Sequence, residues 1–116
     1  MADSFSINSG NIVSGVTASI TNTAATAVIA AQAANRIYIT SVMVTNGDAD
    51  TDTFVNITDG SGGAVIWSGY AAKAGGGFSH NFKTPIMTTS SNGVYCACLT
   101  TGATVRVAAA GYRGPA

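Results

Sequence analysis

An all-β fold is predicted by three features of this 116-residue chain. Apolar and polar residues alternate with period two from end to end, the alternating runs are bounded by glycine and asparagine, and the links between them are short and often contain glycine. Asn-Gly and short glycine-containing links are the favoured chemistry of hairpin turns. About eight such runs give a single-domain, jelly-roll-like β-sandwich. Its expected limits are residues 11–116, preceded by a short N-terminal arm, residues 1–10.

The first strand is expected over Asn11–Thr21, with Ile12, Val16, Ala18 and Ile20 on one face and Val13, Thr17, Ser19 and Thr21 on the other. Ala27–Ala31 follows. Residues 24–34 also have helix propensity, and Asn22 or Thr23 could cap a helix there. Strand is favoured, because β runs flank the segment and it is shorter than a stable isolated helix. In Arg36–Asn46, Ile37, Ile39 and Met43 oppose Tyr38, Val42 and Val44, so the run is apolar on both faces. Such a strand is central in a packed sheet or lies beneath a subunit contact.

Asn46-Gly47-Asp48 turns into Thr53–Thr58, and Asp59-Gly60-Ser61-Gly62-Gly63 turns into Ala64–Tyr70. The Gly75-Gly76-Gly77 run precedes Phe78–Phe82. Ser91-Asn92-Gly93 opens Val94–Thr100, and Thr101-Gly102 links it to Thr104–Ala110. The arm places Phe5 and Ile7 in an otherwise Ser/Asn/Gly-rich segment, suited to docking on a neighbour.

Composition argues against chemistry. The chain has no glutamate, one histidine and 9% charged residues, whereas catalysis needs titratable or nucleophilic groups in mutual reach. No enzyme activity and no cofactor are expected. Five Lys+Arg balance five Asp+Glu, while nucleic acid and anionic membranes are bound by clustered positive charge. Neither partner is expected. Neutrality and a mean hydropathy of +0.31 suit association instead. No apolar run approaches the ~20 residues that span a bilayer. No signal peptide is visible at Met1-Ala2-Asp3-Ser4, so synthesis in the cytosol with reduced cysteines is expected.

The remaining candidates each have a bland reading that outweighs the chemical one. Cys96 and Cys98 share one strand face, poorly placed to bridge, and read as small core residues. Asp48, Asp50 and Asp52 alternate as in a calcium loop, but Thr53 stands where that loop needs glycine, so solvated loop carboxylates are expected and no metal. His80 falls between Phe78 and Phe82 on one face and reads as a packing residue. The triple glycine lacks the ending of a phosphate loop, and the sequon Asn56-Ile57-Thr58 has no meaning without secretion. Tyr38, Trp67 and Tyr70 could form a stacking platform for a sugar, with core or subunit packing favoured over it.

Val28-Ile29-Ala30-Ala31, Asn35-Arg36-Ile37-Tyr38-Ile39-Thr40-Ser41-Val42, Val55-Asn56-Ile57-Thr58-Asp59-Gly60-Ser61-Gly62-Gly63, Ala74-Gly75-Gly76-Gly77-Phe78-Ser79 and Ala110-Gly111-Tyr112 together span residues 28–113. In these runs the chain resembles the small β-sandwich structural proteins of tailed-phage virions: head decoration (cement) proteins, head fibres or tail-associated domains, typically trimeric. The resemblance implies a virion component on the head surface that stabilises the shell by bridging capsid subunits. Its partners would be the major capsid protein and further copies of itself, most simply as a trimer. The small size and the lack of a coiled coil favour decoration over a fibre. On this reading Phe5, Ile7 and Ile12 are expected to anchor to the capsid, and Tyr38, Trp67 and Tyr70 to line subunit contacts. A tail- or head-associated adhesion or carbohydrate-binding module is the alternative.

Overall fold

The computed structural model describes residues 11–115. They form eight strands: β1 (Ile12–Val16), β2 (Thr26–Ile29), β3 (Asn35–Asn46), β4 (Thr53–Asp59), β5 (Val65–Ala71), β6 (Gly76–Met87), β7 (Val94–Cys98) and β8 (Val105–Pro115). Strands β4 and β5, β3 and β6, β2 and β7, and β1 and β8 all pair antiparallel. The chain is thus one long hairpin with its tip between β4 and β5. Rolling that hairpin lays β8 on β3 and β7 on β4. Two four-stranded sheets result, ordered β1-β8-β3-β6 and β2-β7-β4-β5, which is the jelly-roll arrangement.

The core lies between the sheets. One contributes Ile37, Ile39, Val42, Val44, Val105 and Val107, the other Ile29, Val55, Ile57, Val94, Cys96 and Cys98, all buried. Burying an aliphatic side chain of this size stabilises by roughly 1.5–3 kcal/mol, so the sandwich needs no disulfide. Both cysteines are free and buried, as the small-core reading expects.

Several expectations are corrected. The first strand ends at Val16 rather than Thr21, and of its two faces the one carrying Val13 packs on the core while Ile12 and Val16 point outward. The tight fit of Gly15 under the Val28 carbonyl draws this end of β1 onto β2. Beyond the strand, Thr17 and Ile20 turn inward and bond to Val107 and Val105. The alanine-rich stretch is strand, as favoured, over residues 26–29 rather than 27–31, and pairs to β7, because the open edge of that sheet supplies partners that a lone helix would lack. The expected faces of β3 hold only up to Ile39. A bulge at Thr40 shifts the register against both neighbours, so Ile37 and Ile39 are followed inward by Val42 and Val44, and Met43 faces out. Gly111 faces this bulge, where a Cβ would overlap the Tyr38 carbonyl. Strand β3 is central, between β8 and β6, as its two apolar faces require. Strands β6 and β8 are longer than expected: β6 takes in Gly76, Gly77 and Pro85, and β8 runs on through Gly111 to Pro115. Pro85 is tolerated because β6 is an edge strand.

Asn46 ties one end of the sandwich together. It is fully buried. Its amide donates to the carbonyls of Thr51 (2.7 Å) and Ala71 (3.1 Å), and its Oδ1 accepts from the backbone of Asp48 (3.0 Å) and Thr104 (3.3 Å). One side chain thereby joins β3, the loop after it, β5 and the entry to β8.

Candidate interaction surface

Alternation turns every second residue of the β1-β8-β3-β6 sheet outward, and the register aligns them in rows across the strands. Ile12, Tyr112, Tyr38 and Met87 form one row. Ser14, Ala110, Ser41 and Asn81 form the next, and Val16, Ala108, Met43 and Ser79 the third. Large apolar side chains on this face stand in water: Ile12 is 59% exposed, Val16 69%, Met43 55% and Met87 48%. Tyr38 and Tyr112 stack across β3 and β8 with ring centroids 5.1 Å apart and planes at 16°. Arg36, two residues before Tyr38 on the same face, donates from Nη1 to the Met87 Sδ at 3.2 Å. The small residues of the middle row floor a groove of 380 Å³ lined by Ser14, Val16, Met43, Asn81, Ala108 and Ala110, among others.

The three rows contain no charged side chain. Exposed large apolar side chains gathered on one uncharged surface, here in the two rows that flank the small, mostly polar one, are a usual mark of a contact with another macromolecule. The other sheet also exposes apolar side chains, where Phe54 and Tyr70 meet edge-to-face at 5.1 Å and Leu99 donates its N–H to the Phe54 carbonyl at 3.0 Å.

Tyr38, Trp67 and Tyr70 do not assemble into the stacking platform weighed as the less favoured reading. Tyr38 is outward on one sheet, Tyr70 outward on the other, and Trp67 lies between the sheets at their open edge. The parity of β5 forces this, since positions 67 and 70 fall on opposite faces. Trp67 instead nucleates a cluster that closes the edge between β5 and β6. It meets Phe78 edge-on at 4.9 Å and Phe82 at 5.8 Å, and stacks on His80 at 5.7 Å. Gly69 leaves the space that the Phe78 ring fills. His80 is therefore a packing residue of this cluster, on the face that alternation assigns it.

The remaining candidates are occupied by structure. Asp48 accepts from the backbone N–H of Asp50 (3.0 Å) and Thr51 (2.8 Å), and the Asp50 bond foremost holds its carboxyl below the ordinary range. Asp52 accepts from the Lys73 N–H at 2.7 Å; that bond, then the Tyr70 hydroxyl, lowers its pKa. These carboxylates organise their own loop and turn, and among the described residues no three acidic, histidine or cysteine side chains gather as metal ligands do. Burial pushes the Cys96 thiol up to about 12, with the neighbouring Cys98 adding to it, so it is not a nucleophile. Asn56 is half-buried inside β4. Among the described residues no helix is long and apolar enough to cross a membrane.

Of the residues expected to anchor a partner, Phe5 and Ile7 lie outside the described residues, and Ile12 stands at the edge of the first row. Sequence reasoning did not single out Tyr112, Met43, Met87 or Val16 as surface residues. The signal for Tyr112 was present in the alternation Arg106, Ala108, Ala110, Tyr112, but the orientation of Met43 depends on the bulge at Thr40. No protein-family model matches the chain, and no curated protein is similar enough to count as a relative.

Proposed function

We propose that this chain is a virion structural protein of a tailed phage, a decoration protein that binds the outside of the head and holds neighbouring capsid subunits together. It acts through its surface, without chemistry. The observation that carries the reading is the uncharged centre of the outward face of the β1-β8-β3-β6 sheet, where Ile12, Val16, Met43 and Met87 are each about half exposed or more. Such a face is unfavourable in water and favourable against a partner. The motifs of residues 28–113 supply the virion context. The jelly roll agrees with both, since rigid sandwiches of this order recur in capsid proteins, although they also recur in lectins and cupins.

Binding only the assembled shell would add its binding free energy to the assembled state, by the linkage that lets any ligand stabilise what it binds. Copies of the chain would gather at a local symmetry axis, most simply as a trimer. The exposed Phe54 and Tyr70 pair on the opposite sheet is a surface suited to contact between copies. The adhesion alternative loses its main support with the separation of Trp67 from Tyr70.

The test is electron cryo-microscopy of the particle from which the chain comes, after mass spectrometry has shown that the protein is in it. Sandwich-shaped density over capsomer junctions is expected. Density on the tail alone would transfer the protein to adhesion, and absence from the particle would end the virion reading.

A further inference from the structure

The formal neutrality of the chain conceals a segregation of charge. Of its five basic side chains, Arg36, Lys83, Arg106 and Arg113 lie on strands of the β1-β8-β3-β6 sheet, and those strands contain no acidic residue. Among the described residues the acids are Asp48, Asp50, Asp52 and Asp59, in the loop after β3, in the approach to β4 and at its end. Asp59 is bound to the Thr89 N–H and to Asn92 Nδ2, each at 3.0 Å.

On the outward face the cations bracket the apolar rows. Arg36 lies beyond the Tyr38 row, held against Met87. At the opposite end Arg106 follows the Met43 row, exposed and paired in register with Thr45. The face thus has an uncharged centre three rows deep, with large apolar side chains in its first and third rows and small, mostly polar residues between them, and an arginine beyond each end.

From this arrangement we infer that the outer face of the β1-β8-β3-β6 sheet docks a different protein, whose complementary surface is apolar at its centre and carries carboxylates at its rim. The inference rests on the virion reading for the identity of that partner, the capsid surface. A second copy of the chain fits this face poorly. Face-to-face packing would set arginines near arginines with no acid on the strands of either sheet to pair them, and like charges across an interface cost several kcal/mol. Nucleic acid fits poorly too, because the three central rows carry no charge, whereas nucleic-acid affinity comes chiefly from cations that neutralise phosphates. A partner with an acidic rim satisfies both parts: apolar burial supplies affinity, and the arginines supply registration and association rate.

The experiment is co-sedimentation of the purified full chain with heads that lack it, over a range of sodium chloride, with light scattering to follow the mass of the free protein. Met43→Asp should abolish binding. Arg106→Glu should weaken binding about tenfold at low salt and reduce its salt dependence. Lys73→Glu, in the turn before β6 and outside the three rows, should bind as the parent does. All three should keep the β-sheet circular dichroism and the free-state mass of the parent. Parent-like binding by folded Met43→Asp or Arg106→Glu would overturn the inference while leaving the virion reading intact. A fall in free-state mass in either variant would also overturn it, by showing that the face is covered by another copy. Failure of the parent itself to bind heads would sink the virion reading and the assigned partner together.

Discussion

Tyr38 of β3 and Tyr112 of β8 occupy directly opposed positions and stack at 5.1 Å on the solvent side of their sheet. Neither ring is in the core. Together they form the centre of a row that starts at Ile12 and ends at Met87, so the stack both pins two strands in register and presents a flat aromatic surface. A cross-strand aromatic pair is worth ~0.5–1.5 kcal/mol beyond its area.

That value gives the first prediction. A double-mutant cycle with Tyr38→Ala, Tyr112→Ala and the pair, read by urea unfolding, should show a coupling of about 1 kcal/mol. Additive effects would mean that the rings share a surface without interacting. Because both rings face outward, each single variant should still fold.

Asn46 should be among the most sensitive positions. Asn46→Ala removes four hydrogen bonds and leaves the carbonyls of Thr51 and Ala71 and the N–H groups of Asp48 and Thr104 without that partner. Each buried group left unpaired costs ~1–3 kcal/mol, so a loss of at least about 2 kcal/mol is expected by denaturant unfolding. Asn46→Asp should also destabilise, since a carboxylate cannot donate to two carbonyls.

Acid should loosen the loop after β3 and the turn before β6. The carboxyls of Asp48 and Asp52 lie below their ordinary value of 3.8 in the folded chain, chiefly through the backbone N–H groups of Asp50 and Lys73. A depressed carboxyl contributes stability that is fully present above the unfolded value and is lost as pH falls through the folded one. NMR titration should therefore show shifts in residues 48–52 and 73 below about pH 4. Tyr70→Phe removes the hydroxyl that donates to Asp52 and should move the Asp52 midpoint upward; an unmoved midpoint would show that the hydroxyl bond is not formed in solution.

The cysteines should be silent while the chain is folded. Cys96 and Cys98 are fully buried and the Cys96 thiol is raised to about 12 by that burial. Iodoacetamide at neutral pH should alkylate neither in native protein and both in denaturant, as read by intact mass. Rapid native labelling would show that the core around β7 opens readily.

Much of the fold was legible because period-two alternation and turn chemistry are local. Eight strands, the absence of helix among the described residues, the central place of β3, and the inward pair Cys96 and Cys98 all follow from residues close in sequence. The alanine-rich stretch around Val28 was ambiguous for the same reason, since local propensity alone leaves helix and strand close. Faces were harder. A single extra residue at Thr40 reverses the parity of everything after it, and no local signal distinguishes a bulged Thr-Ser from a regular one. Grouping Trp67 with Tyr70 overlooked their odd spacing within β5, which alternation places on opposite faces, whereas the position of Tyr38 on the other sheet is decided by the fold.

By itself, then, the sequence determined the class of element, the approximate number of strands and the poverty of chemical groups, all of which depend on composition and on interactions a few residues apart. Only the tertiary structure decided which apolar residues face water. That choice depends on the rolling of the hairpin, which lays β8 against β3 across a long stretch of chain, and on the bulge that sets register there. The row Ile12, Tyr112, Tyr38, Met87 and the arginines beyond it exist only because strands distant in sequence were brought side by side, where backbone hydrogen bonds and a shared core hold them.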